Sequence, residues 1–593
     1  MGYVGVNVFI YVLLFVSQGE AMCPFLVGNT ANLSPLPRGH PVVKDQALQS
    51  PSNQEMKGTA DAATQYSFYK ALAELDFDAV KDDLRALFVN SQESWPADYG
   101  NYGPFFIRLA WHCNGSYRTS DGRGGCEGGR QRFDPEQSWQ DNTNLDKARG
   151  LLQPIKEKYG VGLSWGDLFT LAGTTAIDFM GGPVLGFCAG RVDDADGTAS
   201  LELGPTEAQQ SLYPCLPQDG ECQTPLGATT LGLIYVNPEG PMGVPDPVGS
   251  VADVRDTFQR MNMNDAETVA LIGGGHAFGK THGACPLGAG PNPDQDPANP
   301  WPGNCGTGKG VDAFTSGFEG PWTADPTAWD NSYFKNLLAH EWTPWVGPGG
   351  HTQWQAVQTD DDALVAPAAD GNGTQPVMMM TSDVSLVSGD PSYLALVELY
   401  ASNQSALDDA FKNAWYKLTT RDMGPYSRCL PSDDLPPPQP FQFPLPAPLP
   451  PAELPNFRAV AAAVRQALST PQPNVLPPDV FDGKPWYGAL MVRLAWSCAS
   501  TFRSTDHLGG CNGARIRFAP QAEWPSNAAL DQALTLLEPV KETFGAGLSW
   551  ADLIALAGTV ALVEAGSGPL SFCGGRTDAS DDGGGGGGGD DTN

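Results

Sequence analysis

Residues about 102 to 193 recur about 385 positions further along the chain without a gap. This repeat limits the possible folds more than any composition value does. Phe106-Ile-Arg-Leu-Ala-Trp-His-Cys113 faces Met491-Val-Arg-Leu-Ala-Trp-Ser-Cys498, and Gly-Leu-Ser-Trp165-Gly-Asp167 faces Gly-Leu-Ser-Trp550-Ala-Asp552. Gly190 and Arg191 face Gly575 and Arg576, and Cys113, Cys126 and Cys188 face Cys498, Cys511 and Cys573. The chain is therefore a tandem duplication. The first copy continues well beyond Arg191, whereas the second passes from Arg576 into Asp581, Asp582 and a run of seven glycines.

Between the copies lies Pro431 to Pro455, too rich in proline for helix or sheet and expected to form an extended linker. The expected organisation is a leader over 1–21, an extension over 22–62 and a main domain over 63–430. The linker over 431–455, an incomplete repeat over 456–580 and a disordered Gly/Asp tail over 581–593 follow.

Periodic apolar stretches predict helices over 68–88, 104–113, 144–159, 165–179, 266–278, 392–400 and 405–418. Strand signals are sparse, so the expected class is mainly α with long loops built from 70 glycines and 52 prolines. Lys and Arg number 34 against 67 Asp and Glu, a net charge of −33 that repels nucleic acid and anionic bilayers.

A largely apolar N-terminal run, Tyr3 to Val16, followed by Gly19-Glu20-Ala21, reads as a secretory leader, although Lys and Arg are missing from its start. The expected destination is the secretory pathway, with an organelle or the cytoplasm as alternatives. No other segment is expected to span a bilayer, so no membrane association remains once the leader is removed. Sequons at Asn32, Asn372 and Asn403 are compatible with export.

Arg108, Trp111 and His112 stand at i, i+3 and i+4, so one helix face presents a cation, an aromatic ring and a base. An amphipathic core helix with a carbonyl-bonded histidine is the plain alternative. The second copy keeps Arg493 and Trp496 but has Ser497, so the scaffold does not itself require an imidazole.

In Glu267-Thr-Val-Ala-Leu-Ile-Gly-Gly-Gly-His276, three glycines interrupt an apolar helical run. Each costs about 1 kcal/mol against alanine, so they predict close approach of another group, such as a flat prosthetic group. Gly274 to Thr281 also fits the phosphate-loop pattern, but the sequence after it cannot form the required helix. Seven histidines without a tight His/Cys cluster give no support for a zinc enzyme. A haem needs only one protein ligand. A proximal imidazole, with a distal base and cation opposite, is the minimum for cleaving a peroxide O–O bond.

FIRLAWHCNGSYRTSDGRGG (106–125), WQDNTNLDKAR (139–149), GLIYVNPEGP (232–241) and RMNMNDAETVALIGGGHAFGKTHGACP (260–286) closely resemble the catalase-peroxidases, class I haem peroxidases of the plant-type superfamily. WTADPTAWDNSYF (322–334), TSDVSL (381–386) and AWYKLTTRDMGP (414–425) extend the resemblance over residues 60 to 430.

The resemblance implies a haem peroxidase fold in tandem duplication and one haem b per chain, with His276 as iron ligand, Asp383 accepting its other ring proton and Trp322 alongside. It implies His112 as distal base, Arg108 as the charge-stabilising cation and Asn142 as the group that orients His112. Trp111, Tyr235 and Met261 match a covalent Met-Tyr-Trp adduct needed for oxygen release. Asp121 matches an access-channel acid and Arg421 a mobile arginine.

The implied reaction forms an oxyferryl radical with hydrogen peroxide, which a second peroxide or a small organic donor reduces. A homodimer is left open. The alternatives are a monofunctional class I peroxidase of the ascorbate or cytochrome c kind, or a non-catalytic haem protein if the shortened repeat disables the site. Cys113 and Cys126, repeated as Cys498 and Cys511, are expected either as paired bridges or as small buried thiols.

Overall fold

The computed structural model describes residues 25–27 and 62–580, apart from 94, 140, 141, 143, 204–235, 282–317, 348–349, 358–363, 370 and 431–433. The leader, nearly all of the N-terminal extension, the glycine tail, Asn32 and Tyr235 lie outside the described residues. The chain divides into two compact units, Leu48–Gln442 and Phe443–Asn593 together with Met1–Ala47. The division falls within the proline-rich segment. The described part of that segment forms only short 3-10 turns at Pro440–Gln442 and Pro451–Glu453.

The larger unit is mainly helical: α1 Ala62–Leu72, α2 Phe77–Phe88, α3 Gly103–Asn114, α4 Leu145–Tyr159, α5 Trp165–Phe179, α6 Pro247–Arg260, α7 Asp265–Gly275, α8 Ser332–Ala339, α9 Thr381–Ser388, α10 Pro391–Ser402 and α11 Gln404–Thr420. The single helix expected over 68–88 is two. Asp76 accepts a hydrogen bond from the Ala79 amide and so starts a new helix inside the apolar stretch. Helices α6, α8 and α9 were not anticipated. Nor was the antiparallel sheet of Trp342–Val346, Thr352–Ala356 and Met378–Met379, with Trp342 opposite Ala356 and Trp354 opposite Met379.

Helix α3 carries Arg108, Trp111 and His112, and α5 fixes its position. Gly173 of α5 lies against Ala110 and the Phe106 carbonyl, where a methyl group would come within 2.4 Å of the alanine Cβ. The glycine therefore lets two helix backbones meet closely. Disulfides join Cys113 to Cys126 and Cys188 to Cys429, which decides the bridge-or-thiol question for the first pair.

At the far end of α5, buried Asp167 accepts from the Gly190 amide at 2.9 Å and from Arg191 Nη1 at 3.0 Å. Arg191 also donates to the carbonyls of Cys188 and Thr419. Neither side chain of the pair is exposed, so each charge depends on the other.

The smaller unit repeats this framework with α12 Phe457–Ser469, α13 Gly488–Ala499, α14 Leu530–Phe544 and α15 Trp550–Leu562. Gly558 meets Ala495 as Gly173 meets Ala110, and Cys498 bridges Cys511. Asp552 holds Arg576 at 3.0 Å, but here the arginine side chain is 33% exposed. Contrary to the sequence expectation, Trp550–Ser567 is long and apolar enough to cross a membrane. Half of it is buried in this unit, where Asp552 and its arginine sit, as in a core helix.

The two ion pairs make a prediction. Asp167→Ala strands a buried guanidinium and lowers the unfolding free energy of its unit by about 3–5 kcal/mol. Asp552→Ala costs measurably less, because water reaches Arg576. Denaturation midpoints of the two variants check the order.

Candidate active site

The distal histidine owes its place to α3 and its protonation to a loop. Asn142 donates through Nδ2 to the Glu136 carbonyl at 2.7 Å, which turns its Oδ1 toward His112. His112 Nδ1 lies 3.0 Å from that oxygen. An amide oxygen can only accept, so the proton sits on Nδ1 and Nε2 is left as the basic nitrogen. Burial, then the positive charge of Arg108, holds the imidazole well below its ordinary pKa, with the Asn142 bond opposing them. His112 is therefore a neutral base.

Arg108, one turn earlier on α3, shares the cavity lining with His112 and Trp111. The Trp111 ring stacks on Phe258 of α6 with centroids 5.6 Å apart, and its buried Nε1 has no hydrogen-bond partner among the described residues. Met261 is the buried residue that caps α6. Tyr235 lies outside the described residues.

Across the cavity, His276 stands at the C-terminus of α7. Its Nδ1 lies 2.8 Å from Asp383 Oδ1, and its ring stacks on Trp322 with centroids 4.0 Å apart and planes within 9°. Trp322 Nε1 donates to Asp383 Oδ2 at 2.9 Å. Asp383 is fully buried in the first turn of α9, where the Met380 amide donates to Oδ2 at 2.8 Å. Tyr333 of α8, which sequence reasoning missed, donates its hydroxyl to Oδ1 at 2.7 Å. Burial alone would raise the Asp383 carboxyl, but His276 and the hydrogen bonds hold it below the ordinary value.

The space between the two imidazoles suits a flat macrocycle. The cavity measures about 1390 Å³, counting its solvent-facing mouth, and apolar walls from Phe105, Phe258, Leu271 and Trp415 join the polar groups. The three glycines divide their roles differently from expectation. Gly273 and Gly274 make room for the rings of Phe334 and Phe411, and only Gly275 faces open space. One ring nitrogen of His276 is taken by Asp383, so the other is free to bind iron, and the donor set fits a haem.

The phosphate-loop pattern falls at the C-terminus of α7, the wrong end for an anion. Its Lys280 is also buried against Glu319 at 2.9 Å. Burial pushes the Glu319 carboxyl up to about 7 despite that ammonium.

Asp121 and Arg421 stand outside the cavity lining. Asp121 forms a two-pronged pair with Arg118, at 2.7 and 3.2 Å, and Arg421 Nη1 donates to the Phe441 carbonyl at 3.2 Å. The Arg118–Asp121 pair recurs as Arg503–Asp506 in the other copy, which has no histidine on its equivalent helix, so it serves the loop in both. There Arg493, the counterpart of Arg108, is bound to the carbonyls of Ser526 and Ala528. Trp496, the counterpart of Trp111, is 56% exposed.

The peroxidase family model matches residues 80–403 and again 461–584, once for each copy. Such a fold and site define a haem-dependent oxidoreductase that acts on peroxide. The catalase-peroxidase of Natronomonas pharaonis is 44% identical over 546 residues, covering 87% of this chain and 72% of its own. That of Geobacillus stearothermophilus is 42% identical over 562 residues, covering 92% and 73%, and that of Yersinia pestis strain Pestoides F is 44% identical over 536 residues, covering 87% and 70%. The chain belongs to the catalase-peroxidases.

The neutral state of His112 sets a pH dependence. Its folded pKa is depressed, so the stabilisation is complete above the unfolded value of about 6.5 and is lost as the pH falls below it. Relative to His112→Gln, the wild type loses up to about 1.4 kcal/mol of stability per pH unit on acidification. Denaturant titrations between pH 7.5 and 5 read this slope.

Proposed function

We propose that the chain holds one haem b between His276 and His112, releases dioxygen from hydrogen peroxide and oxidises small organic donors. The paired geometry of the two imidazoles carries this reading: each has Nδ1 tied to a fixed oxygen, which leaves its other nitrogen to the shared cavity. When bound, the haem supplies an iron that accepts the oxidising equivalents of peroxide and passes them to a second peroxide or a donor.

On the distal side, His112 Nε2 takes the proton from one peroxide oxygen and returns it to the departing one. Such a transfer contributes typically ~10²–10⁴-fold in rate. Arg108 stabilises the negative charge that builds on the leaving oxygen. Asn142 keeps the His112 proton on Nδ1, so the imidazole cannot turn its protonated face to the substrate. On the proximal side, His276 would hold the haem iron through Nε2, and Asp383, by drawing on its Nδ1 proton, would make that nitrogen a stronger donor. Trp322 holds the ring in plane by stacking. Trp111, Tyr235 and Met261 form the covalent adduct that oxygen release requires. Trp111→Phe is expected to abolish most oxygen evolution while sparing donor oxidation, and the cross-linked tryptic peptide disappears from the mass map. Equal loss of both activities would remove the adduct from the scheme.

We further propose that the protein is exported. Three disulfides whose both ends lie among the described residues support this reading, because such bridges persist in oxidising compartments. Asn372 is exposed on the turn between Val365–Pro367 and Thr374–Pro376, whereas Asn403 caps α11 by accepting from the Ala406 amide. Expression with its own leader in a eukaryotic host is expected to yield secreted protein from which a peptide N-glycosidase removes a glycan at Asn372 but none at Asn403.

A further inference from the structure

Asp383 is the acceptor on which the axial histidine depends, and it serves more donors than that histidine and its tryptophan. Its Oδ1 receives the His276 Nδ1 proton at 2.8 Å and the Tyr333 hydroxyl at 2.7 Å, while Oδ2 receives Trp322 Nε1 and the Met380 amide. The phenol and the imidazole thus share one oxygen of one carboxylate. Tyr333 is fully buried, and its ring meets His276 edge-on with centroids 5.8 Å apart. A carboxylate oxygen has a finite supply of electron density. Each additional donor that withdraws from it weakens what it returns to the others.

We propose that Tyr333 is a positioning and tuning residue for the axial ligand: by donating to the oxygen that accepts the His276 proton, it weakens that acceptor and limits the imidazolate character of the imidazole. The inference rests on His276 as iron ligand and goes beyond it, because it concerns how strongly that ligand donates. Without the phenol, Asp383 pulls harder on the Nδ1 proton, Nε2 becomes more basic and the ferric state is favoured over the ferrous. Tyr333 thereby acts opposite to Asp383 itself. A residue that merely filled space behind the histidine would be matched by phenylalanine, which keeps the ring and its edge contact and removes only the hydroxyl.

The test uses the full-length haem-loaded protein, as wild type and as Tyr333→Phe, with Asp383→Asn to mark the opposite direction. Ferric/ferrous potentials are measured by spectroelectrochemistry, and the iron–imidazole stretch of the ferrous form by resonance Raman. Tyr333→Phe is expected to shift the potential negative and the stretch to higher frequency. Asp383→Asn shifts the potential positive and the stretch to lower frequency. A Tyr333→Phe protein that keeps the wild-type potential and stretch, or moves both in the Asp383→Asn direction, overturns the proposal. If wild type lacks an iron–imidazole stretch altogether, the ligand assignment fails first and this proposal with it. The two failures are therefore distinguishable. Should Tyr333→Phe bind haem poorly, Tyr333→Trp, whose indole N–H can still donate, separates hydrogen bonding from packing: restoration of the wild-type stretch supports the proposal, and failure to restore it in a haem-loaded variant counts against it.

Discussion

A carboxylate removed from water must find all its hydrogen-bond donors inside the protein, and the proximal half of the site is arranged around that requirement at Asp383. Four donors come from four separate segments: the end of α7, the loop carrying Trp322, α8 and the residue before α9. Removing the charge would leave four buried polar groups without a partner, and removing any donor leaves the charge under-compensated. The same network that orients the histidine therefore holds these segments together. The distal half follows a parallel logic with weaker stakes, because Asn142 is neutral and the base it orients is neutral as well.

The duplication allows scaffold and chemistry to be separated within one chain. Both copies retain the tight α-helix crossing at Gly173 and Gly558, the Asp–Arg pair, the disulfide from the distal-type helix and the Arg–Asp loop clamp. These features fold a peroxidase half-domain whether or not it reacts. In the repeat, Ser497 replaces the base, Arg493 turns to backbone carbonyls and the tryptophan lies open to solvent. The electrostatic demand of the site disappears with the histidine, and the arginine adopts the nearest available acceptors.

Much of this was legible in the sequence for physical reasons. Helical spacing put Arg108, Trp111 and His112 on one wall, and the structure keeps them there. The repeat placed the equivalent cysteines, though it could not say whether they were bridged. What stayed hidden depended on tertiary partners. The glycines before His276 signalled close approach, but two of the three accommodate phenylalanine rings from α8 and α11 rather than a prosthetic group. Tyr333 lay inside a quoted motif, but nothing in the sequence marked its role, which comes from a carboxylate 50 residues away. Helix α9 was invisible to periodicity since it is short and buried along most of its length, so no amphipathic face marks it. The partners of Asp121 and Arg421, a neighbouring arginine and a backbone carbonyl, were likewise set by the tertiary structure.

The bridge between Cys188 and Cys429 spans a sequence separation of 241 and closes a covalent ring around most of the larger unit, including α6 to α11. A protease that severs the backbone once between those cysteines releases no fragment. Under non-reducing conditions the nicked chain would still migrate as one species, and the two imidazoles would remain tethered to a common body. That ring turns a clip from a loss of the molecule into a scar, visible only when a reductant is added.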